Sequence, residues 1–440
     1  MTIHRKRNKE LGLPELIAIA LGGMVGGGIF TILGISVSMI GNLTPIAIMI
    51  GGIIASFAAY SYVKLGLYYM DEGATYSFYK KTYPDSSYAA SVIGWFIIFG
   101  YISTLALYAY TFSSYAISST AFANNIWIRK TVAWAVITVF ASINVWSVSG
   151  MGKIEDLMVY TKLIVLTIIS YVLIQHGSTD FGTFIENLAK DTERSSILNI
   201  LIVSSITFVA FEGFQLVINA VNEMTNPKKN IPRAIYSAII LAVLIYVVIS
   251  LGALFAIPIE EIIKNKEYAL AAGAGKIFGK LGTDLVILGA VLATSSAISG
   301  TFFGSSRQMS IIAKDGFLPK ILSIRKNNIP QNAIISMALA ASILILIGGL
   351  ELILEFGSIT FLLVSLLMAI ANHKIRKQTN SSKILSLLSI FGLTLGGMLI
   401  LYYELTDKWH EMLAIVLLYA LLAFGAWAYS KEKHKNSNPA

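Results

Sequence analysis

Long runs of apolar residues, separated by short polar segments, extend through the whole chain. Twelve of these runs are long enough to cross a bilayer as a helix, which takes about 20 residues. They lie near residues 13–38, 45–68, 88–120, 127–148, 157–175, 197–222, 232–257, 282–312, 331–350, 352–372, 384–403 and 411–430. We therefore predict an all-α integral membrane protein with one transmembrane domain over residues 1–430 and a short tail over 431–440.

The longest polar breaks lie near residues 69–87, 176–196 and 258–281. None is long enough to fold as a soluble domain, which typically needs at least about 50 residues. We expect these segments to form loops or short surface helices.

The composition supports this interpretation and excludes several kinds of chemistry. Of the 440 residues, 56% are hydrophobic and 13% are charged, far from the balance of a soluble globular protein. The chain has no cysteine, which excludes disulfides, thiolate metal sites and a cysteine nucleophile. Its five histidines fall at helix ends or in tails, and it has no phosphate-binding loop and no catalytic triad. We expect no enzyme activity, no metal and no cofactor.

Lysine and arginine are distributed unequally between alternate loops. If the amino terminus is cytoplasmic, the cytoplasmic segments carry 22 of these residues and the opposite segments carry 9. An excess of lysine and arginine marks the cytoplasmic loops of membrane proteins. We therefore predict a multi-pass protein of the plasma membrane with both termini in the cytoplasm. The net charge of +9 reflects this topology, so no nucleic-acid partner is implied.

The middle of the first apolar run is unusually rich in glycine. Five of the seven residues from Gly22 to Gly28 are glycines, each costing roughly 1 kcal/mol relative to alanine within a helix. Non-helical backbone is tolerated at membrane depth where it lines a cavity inside the protein. The segment is interpreted either as a helix broken to bind a ligand or as a close-packing surface of small residues.

The sixth apolar run contains a Glu212-Gly213 pair. A carboxyl group inside a spanning helix is costly and usually faces the interior of the bundle or a cavity. One interpretation is a structural carboxyl group that is protonated or hydrogen-bonded. The other is a second broken helix whose free carbonyl groups, together with Glu212, meet a cationic ligand.

The two proposed breaks occupy corresponding places in two five-helix halves, residues 13–175 and 197–372. Paired interruptions of this kind indicate an inverted-repeat transporter with its site near the middle of the membrane. Amide groups at a helix amino terminus suit a carboxylate, and free carbonyl groups suit an ammonium. A site that offers both would select α-amino acids.

Four segments resemble motifs of the amino acid–polyamine–organocation (APC) family of permeases. They are Gly26–Phe30 in the first apolar run, Phe211–Phe214 in the sixth, Glu223–Ile235 in the loop after the sixth, and Ala313–Pro319 after the eighth. The resemblance implies the leucine-transporter fold, with ten core helices and two additional helices over residues 384–430. The two loop motifs are interpreted as structural or gating elements, since Asn-Pro and Ile-Pro also serve as ordinary helix boundaries.

Lys162 lies within the fifth apolar run, about 9 Å along the helix from its cytoplasmic end. Its side chain could extend to the headgroups. Alternatively, it could lie buried against the first apolar run. Loss of water there disfavours the charged form of the lysine, so that the side chain can take up and release a proton. The segments Tyr160–Leu166 and Ser295–Ala297 resemble those of archaeal-type proton-coupled amino acid transporters, which carry a lysine in helix 5. The resemblance implies proton coupling through Lys162, although Glu212 could share or replace this role.

These observations predict an importer of amino acids that works by proton symport and alternating access. Its expected partners are the amino acid, protons as the coupling ion and the lipid bilayer, with no obligate protein partner. The open alternatives are an exchanger or polyamine carrier and, in another class, a substrate-gated channel or membrane sensor. The candidate substrate-binding residues are Met24, Val25, Gly26, Gly27, Gly28, Phe208, Val209, Ala210, Phe211, Glu212, Tyr101 and Ser103, and the candidate proton-coupling residues are Lys162, Ser295 and Ser296.

Overall fold

The computed structural model describes residues 11–146, 151–177, 179–326 and 329–437, and these residues are almost entirely helical. Three short 3-10 segments lie at Gly41–Leu43, Thr207–Phe211 and Lys320–Ser323. The α-helices are α1 (Leu13–Met24), α2 (Gly28–Ile40), α3 (Thr44–Tyr69), α4 (Ala74–Thr82), α5 (Ser87–Ala116), α6 (Ile126–Trp146), α7 (Met151–Gln175), α8 (Phe181–Arg194), α9 (Ile197–Ile206), α10 (Leu216–Asn219), α11 (Pro227–Ala256), α12 (Ile259–Lys264), α13 (Ala269–Lys314), α14 (Gln331–Ile347), α15 (Leu350–Lys374), α16 (Lys383–Asp407) and α17 (Trp409–Ser437).

The prediction of an all-helical membrane protein is confirmed. Within the described residues, ten helical stretches are long and apolar enough to cross a membrane, and one of them, Gly28–Tyr69, contains both α2 and α3. Two further apolar helices, α1 and α14, are shorter. The long helix α13 changes direction at Gly279, whose φ of +61° is not helical.

The three longest polar breaks do contain short helices, but the one between α3 and α5 differs from the expectation. In α8 almost every residue except Phe184 is at least partly exposed, as expected of a surface helix. Helix α4 instead buries most of its residues, including Tyr76 and Phe78. Its aromatic side chains supply the apolar face that packs it against α5, so it belongs to the core.

Burial separates central helices from peripheral ones. In the most apolar part of α5, 78% of the residues are buried within the protein, and the same holds for α15. The corresponding share is 28% for α16 and 17% for α17. Because α16 and α17 are apolar yet leave most of their surface uncovered, they present it to lipid. The middle of the bundle is built around α5, α13 and α15.

Contacts between loops fall into two sets at opposite ends of the bundle. At one end, Lys64 Nζ, near the end of α3, donates a hydrogen bond of 2.7 Å to the carbonyl oxygen of Asn380 in the segment after α15. At the other end, Lys266, which precedes α13, forms an ion pair with Glu351 at the start of α15. Asn380 follows the end of α15, whereas Glu351 lies at its start, so the two contacts lie at opposite ends of the bundle.

Asp315, which ends α13, holds α4 in place. The Tyr76 hydroxyl donates a hydrogen bond of 2.7 Å to Asp315 Oδ2, and Lys80 Nζ lies 2.6 Å from the same oxygen. Burial, with a further contribution from the hydrogen bond to Asp315, raises the pKa of Tyr76 above its ordinary value. Its hydroxyl therefore remains a donor at physiological pH. The loop motif at Ala313–Pro319 thus has a structural role.

We predict that Asp315→Ala destabilises the protein by about 1–3 kcal/mol, because it leaves the buried Tyr76 hydroxyl without its acceptor. Tyr76→Phe should cost less, since it removes both the donor and its need for a partner. Thermal unfolding of the two single variants and the double variant measures the coupling. We expect the double variant to depart from additivity by at least about 0.5 kcal/mol. Additive effects would show that the hydrogen bond does not anchor α4.

Candidate functional site

The first predicted break is present in the structure. Helix α1 ends at Met24 and α2 begins at Gly28, and Val25 between them is not helical, with φ −82° and ψ 65°. The amide of Gly26 donates a hydrogen bond of 2.9 Å to the carbonyl oxygen of Met24. The amides in the first turn of α2, starting at Gly28, have no acceptor within their own helix.

The second predicted break is also present. Helix α9 ends at Ile206 and continues as the 3-10 segment Thr207–Phe211, after which Glu212 is extended, with φ −69° and ψ 140°. Gly213 follows with φ +126°, a conformation that favours glycine. The Gln215 side-chain oxygen accepts a hydrogen bond of 3.0 Å from the Gly213 amide.

The two breaks lie directly against each other. A Cβ atom added to Gly213 would fall 2.6 Å from the carbonyl carbon of Gly23 and 2.7 Å from the nitrogen of Met24. A Cβ atom added to Gly28 would fall 3.0 Å from the Cα atom of Ala210. The glycines therefore permit backbone-to-backbone contact, so the ligand-site and close-packing interpretations of this segment are compatible.

Three consecutive carbonyl groups at the end of α1 accept hydrogen bonds from three different helices. Lys162 Nζ, on α7, donates to Gly22 at 2.9 Å. The Tyr108 hydroxyl, on α5, lies 3.3 Å from the carbonyl oxygen of Gly23. The Tyr246 hydroxyl, on α11, lies 2.7 Å from that of Met24 and 2.9 Å from that of Ala210 in the second break. Side chains thus replace the partners that the breaks remove.

Lys162 is completely buried, which excludes an ammonium extended to the headgroups. Its acceptor, Gly22, lies in the last turn of α1, where the helix dipole favours a cation. Helix α13 packs against the same break, since a Cβ atom added to Gly26 would lie 2.6 Å from Cβ of Ala297. The candidates Ser295 and Ser296, which precede Ala297, are both buried.

A small cavity lies beside the second break. Its volume of about 20 Å³ suffices for one water molecule and is too small for an amino acid. Glu212 is 3% exposed and reaches it with a carboxylate whose Oε2 accepts a hydrogen bond of 2.8 Å from Gln215. Glu212 Oε1 has no hydrogen-bond partner among the described residues. The cavity is lined by Gly23, Tyr101, Thr104, Tyr108, Glu212, Gly213, Gln215, Leu216, Thr301, Ser305 and Phe361.

The predicted substrate-binding residues are not all at this cavity. Tyr101 and Glu212 line it. Ser103 instead donates a hydrogen bond of 2.7 Å to the carbonyl oxygen of Gly100 and packs near Gly357. Met24, Val25 and the three glycines Gly26–Gly28 are buried in the first break, and Phe208–Phe211 are buried in the second.

Several cavity residues were missed from the sequence although their spacing carries a signal. Thr104 and Tyr108, which were not predicted, follow the predicted residue Tyr101 at spacings of three and four residues, which places all three on one face of α5. Thr301 and Ser305 are likewise four residues apart on α13. Polar groups repeated at helical spacing within a spanning helix indicate a face turned toward an interior site.

The comparison with known families agrees with this geometry. The profile of the amino acid permease family matches residues 11–431, nearly the whole chain. The chain belongs to the amino acid permease family. The permease is therefore a multi-pass membrane protein that transports amino acids and is not an enzyme, and the predicted membership of the APC superfamily is confirmed.

Individual relatives match over most of their length. The permease is 28% identical to an uncharacterized protein of Methanocaldococcus jannaschii over 90% of each chain. It is 26% identical to the inner membrane transport protein YbaT of Escherichia coli, over 85% of this chain and 86% of that one. It is 24% identical to the serine/threonine exchanger SteT of Bacillus subtilis, over 71% of this chain and 69% of that one.

We predict that Gly213→Ala destabilises the permease by more than about 1 kcal/mol and abolishes amino acid uptake. The added methyl group would overlap the backbone of Gly23 and Met24, and alanine disfavours the φ of +126°. Gly397→Ala on α16 is the matched control, because a Cβ atom there meets nothing within 4 Å. Thermal unfolding and uptake into liposomes measure both variants. Normal uptake by Gly213→Ala would show that the breaks need not touch.

Proposed function

We propose that the permease imports amino acids across the plasma membrane by proton symport, with both termini in the cytoplasm. In this proposal the chain has the leucine-transporter fold, with twelve spans formed by two inverted repeats, residues 13–175 and 197–372, and two added helices over 384–430. The observation that carries the proposal is the buried ammonium of Lys162 on the carbonyl group of Gly22.

The position of Lys162 suggests how a proton could control the first break. A charged lysine is attracted both by the Gly22 carbonyl group and by the negative end of the α1 dipole. A neutral lysine loses about half of the hydrogen-bond strength, because hydrogen bonds that involve an ion are about twice as strong as neutral ones, and it also loses its attraction to the dipole. Loss of the proton therefore loosens α1 from α7. In this way proton binding and the position of α1 are linked.

The proposed substrate contacts follow from the two breaks. The amides of Gly26–Gly28 would hold the substrate carboxylate at the start of α2, and carbonyl groups of Phe208–Phe211 would hold its ammonium. Gly28 packs on Ala210, and the cavity beside Glu212 holds about one water. Substrate binding therefore requires the breaks to separate. This supports alternating access, in which α1–α3 and α9–α11 rock against the remaining helices.

The first test is uptake of radiolabelled amino acids into liposomes under an inward proton gradient without sodium. We expect Lys162→Ala to lower gradient-driven accumulation at least about tenfold, because a hydrogen bond to a charged group contributes about 1.5–3 kcal/mol. Substrate binding, measured separately, should survive. Lys190→Ala is the control, since Lys190 is exposed on α8.

The other outcomes distinguish the alternatives. Accumulation that follows a sodium gradient, or uptake that requires amino acid inside the liposome, would replace proton symport with sodium symport or exchange. An internal substrate concentration that never exceeds the external one would indicate a channel. Binding of substrate without any transport would indicate a sensor. Unchanged accumulation by Lys162→Ala would remove that residue from the coupling mechanism.

Glu212 supports a second candidate, the transport of polyamines or other dications. Its carboxylate lines the cavity and has one oxygen without a partner among the described residues, so it could meet a second ammonium group. The proposal of amino acid symport assigns it no such contact.

We therefore predict that putrescine does not compete with neutral amino acids for uptake, and that Glu212→Gln leaves this result unchanged. Competition assays with wild type and Glu212→Gln measure both points. The substitution keeps the shape of the side chain and its ability to pair with Gln215 while removing the negative charge. Inhibition by putrescine in the wild type, lost in Glu212→Gln, would favour the polyamine carrier.

A further inference from the structure

Three carboxyl groups from three different helices meet at the end of the bundle where α15 begins. Glu355 lies on α15, Glu404 on α16 and Glu411 on α17, and we call them the carboxylate cluster. Each offers one oxygen atom, and these three oxygens lie within 4.8 Å of one another. Neither the proposed proton pathway nor the proposed substrate contacts use this cluster.

The cluster is buried without sufficient partners. Glu404 is 0% exposed, and among the described residues its carboxylate oxygens accept no hydrogen bond except one that the neighbouring carboxyl group of Glu355 can donate when it is protonated. Glu355 is 2% exposed, and its Oε2 and Oε2 of Glu411 are likewise buried without a partner. Burial of unpaired carboxylates is costly, and they are normally paired or bound to a metal. The cluster therefore needs either protons on its carboxyl groups or a cation bound between them.

The nearby lysines supply only part of this charge. Lys408 Nζ lies 2.9 Å from Oε1 of Glu355 and 2.5 Å from a carboxylate oxygen of Glu351, and Lys266 also pairs with Glu351. Neither of these lysine contacts reaches Glu404. Counting Glu351 with the cluster, four carboxyl groups face two lysines, which leaves a formal charge of −2 when all four are ionised. One divalent cation would balance it.

The chemistry of the ligand atoms favours calcium. Carboxylate oxygens are hard ligands, which suit Ca²⁺ and Mg²⁺. Ca²⁺ accepts about six to eight oxygen ligands at about 2.3–2.6 Å in a flexible geometry, which carboxylates from three different helices can supply, whereas Mg²⁺ demands a near-ideal octahedron and usually keeps several of its waters. Glu411 also lines a cavity of about 380 Å³, bounded by Lys266, Glu351 and neighbouring residues, through which an ion can arrive.

We propose that Glu355, Glu404 and Glu411 bind a divalent cation, preferably Ca²⁺. The ion would link the start of α15, the end of α16 and the start of α17. The largely uncovered helices α16 and α17 would thereby be fastened to α15, which also carries the cavity residue Phe361. The proposal is independent of how transport is coupled.

The test is thermal unfolding of the purified full-length protein, first treated with a chelator and then titrated with CaCl₂. Saturation one hundredfold above Kd should raise Tm by about 3 °C, given the linkage relation and the unfolding entropy of a chain of this length. MgCl₂ and NaCl at equal ionic strength should have smaller effects. Glu404→Gln and Glu411→Gln should lose the calcium shift. Glu186→Gln, an exposed residue on α8, should keep it.

A second measurement locates the ion without altering a ligand. Terbium, which replaces calcium on oxygen ligands, should luminesce when excited through Trp409, two residues before Glu411. Calcium should displace it, and Trp409→Phe should abolish the luminescence while keeping the calcium shift in Tm.

Three results would overturn the proposal. They are a wild type that calcium does not stabilise, the same calcium shift in the glutamine variants, and stabilisation by acid alone. The last would mean that protons shared between the carboxyl groups occupy the cluster.

Discussion

The structure depends on how the carbonyl groups at the end of α1 are satisfied. In the hydrocarbon region a backbone group without a hydrogen-bond partner costs several kcal/mol, and a helix that is broken there creates such groups. Three successive carbonyl groups, those of Gly22 to Met24, accept hydrogen bonds from side chains on α7, α5 and α11. The break therefore determines which helices must surround it. Because Tyr246 also reaches Ala210, the second break is held by the same interaction.

The three donors are not equivalent. Tyr108 and Tyr246 are neutral and offer a hydrogen bond of ordinary strength, whereas Lys162 is a cation when protonated and interacts with the whole dipole of α1. A transporter must exchange one set of such contacts for another each time it changes state. A lysine at this position makes one contact depend on a proton, and the tyrosines keep the others independent of it. This division of roles is the physical basis of the proposed coupling.

Buried carboxyl groups occur in two settings that impose different requirements. Glu212 lies at a cavity and has a glutamine beside it, so it can meet water or a ligand without a fixed counter-ion. The carboxylate cluster lies at one end of the bundle, where α15, α16 and α17 converge and where two lysines pair with Glu351 and Glu355 but not with Glu404. The first arrangement suits a site that opens and closes. The second suits a permanent link between helices.

The sequence by itself determined that the chain is a helical membrane protein and where its two interruptions lie. A bilayer requires about 20 apolar residues per helix, and glycines or a Glu-Gly pair within such a run are costly unless the helix breaks there. It also placed Lys162 within a spanning helix, and the motifs at Glu223–Ile235 and Ala313–Pro319 indicated the family. Each of these signals is local, so it can be read within a few turns of one helix.

The tertiary structure alone decided which residues meet. Tyr246 and Glu404 lie in helices that are apolar on nearly every face, so hydrophobic periodicity cannot tell which side turns inward. The burial of α4, the size of the cavity at Glu212 and the meeting of Glu355 with Glu404 all depend on how helices distant in the sequence pack. That packing follows from close contacts such as Gly213 on Gly23, which depend on the shapes of two surfaces at once.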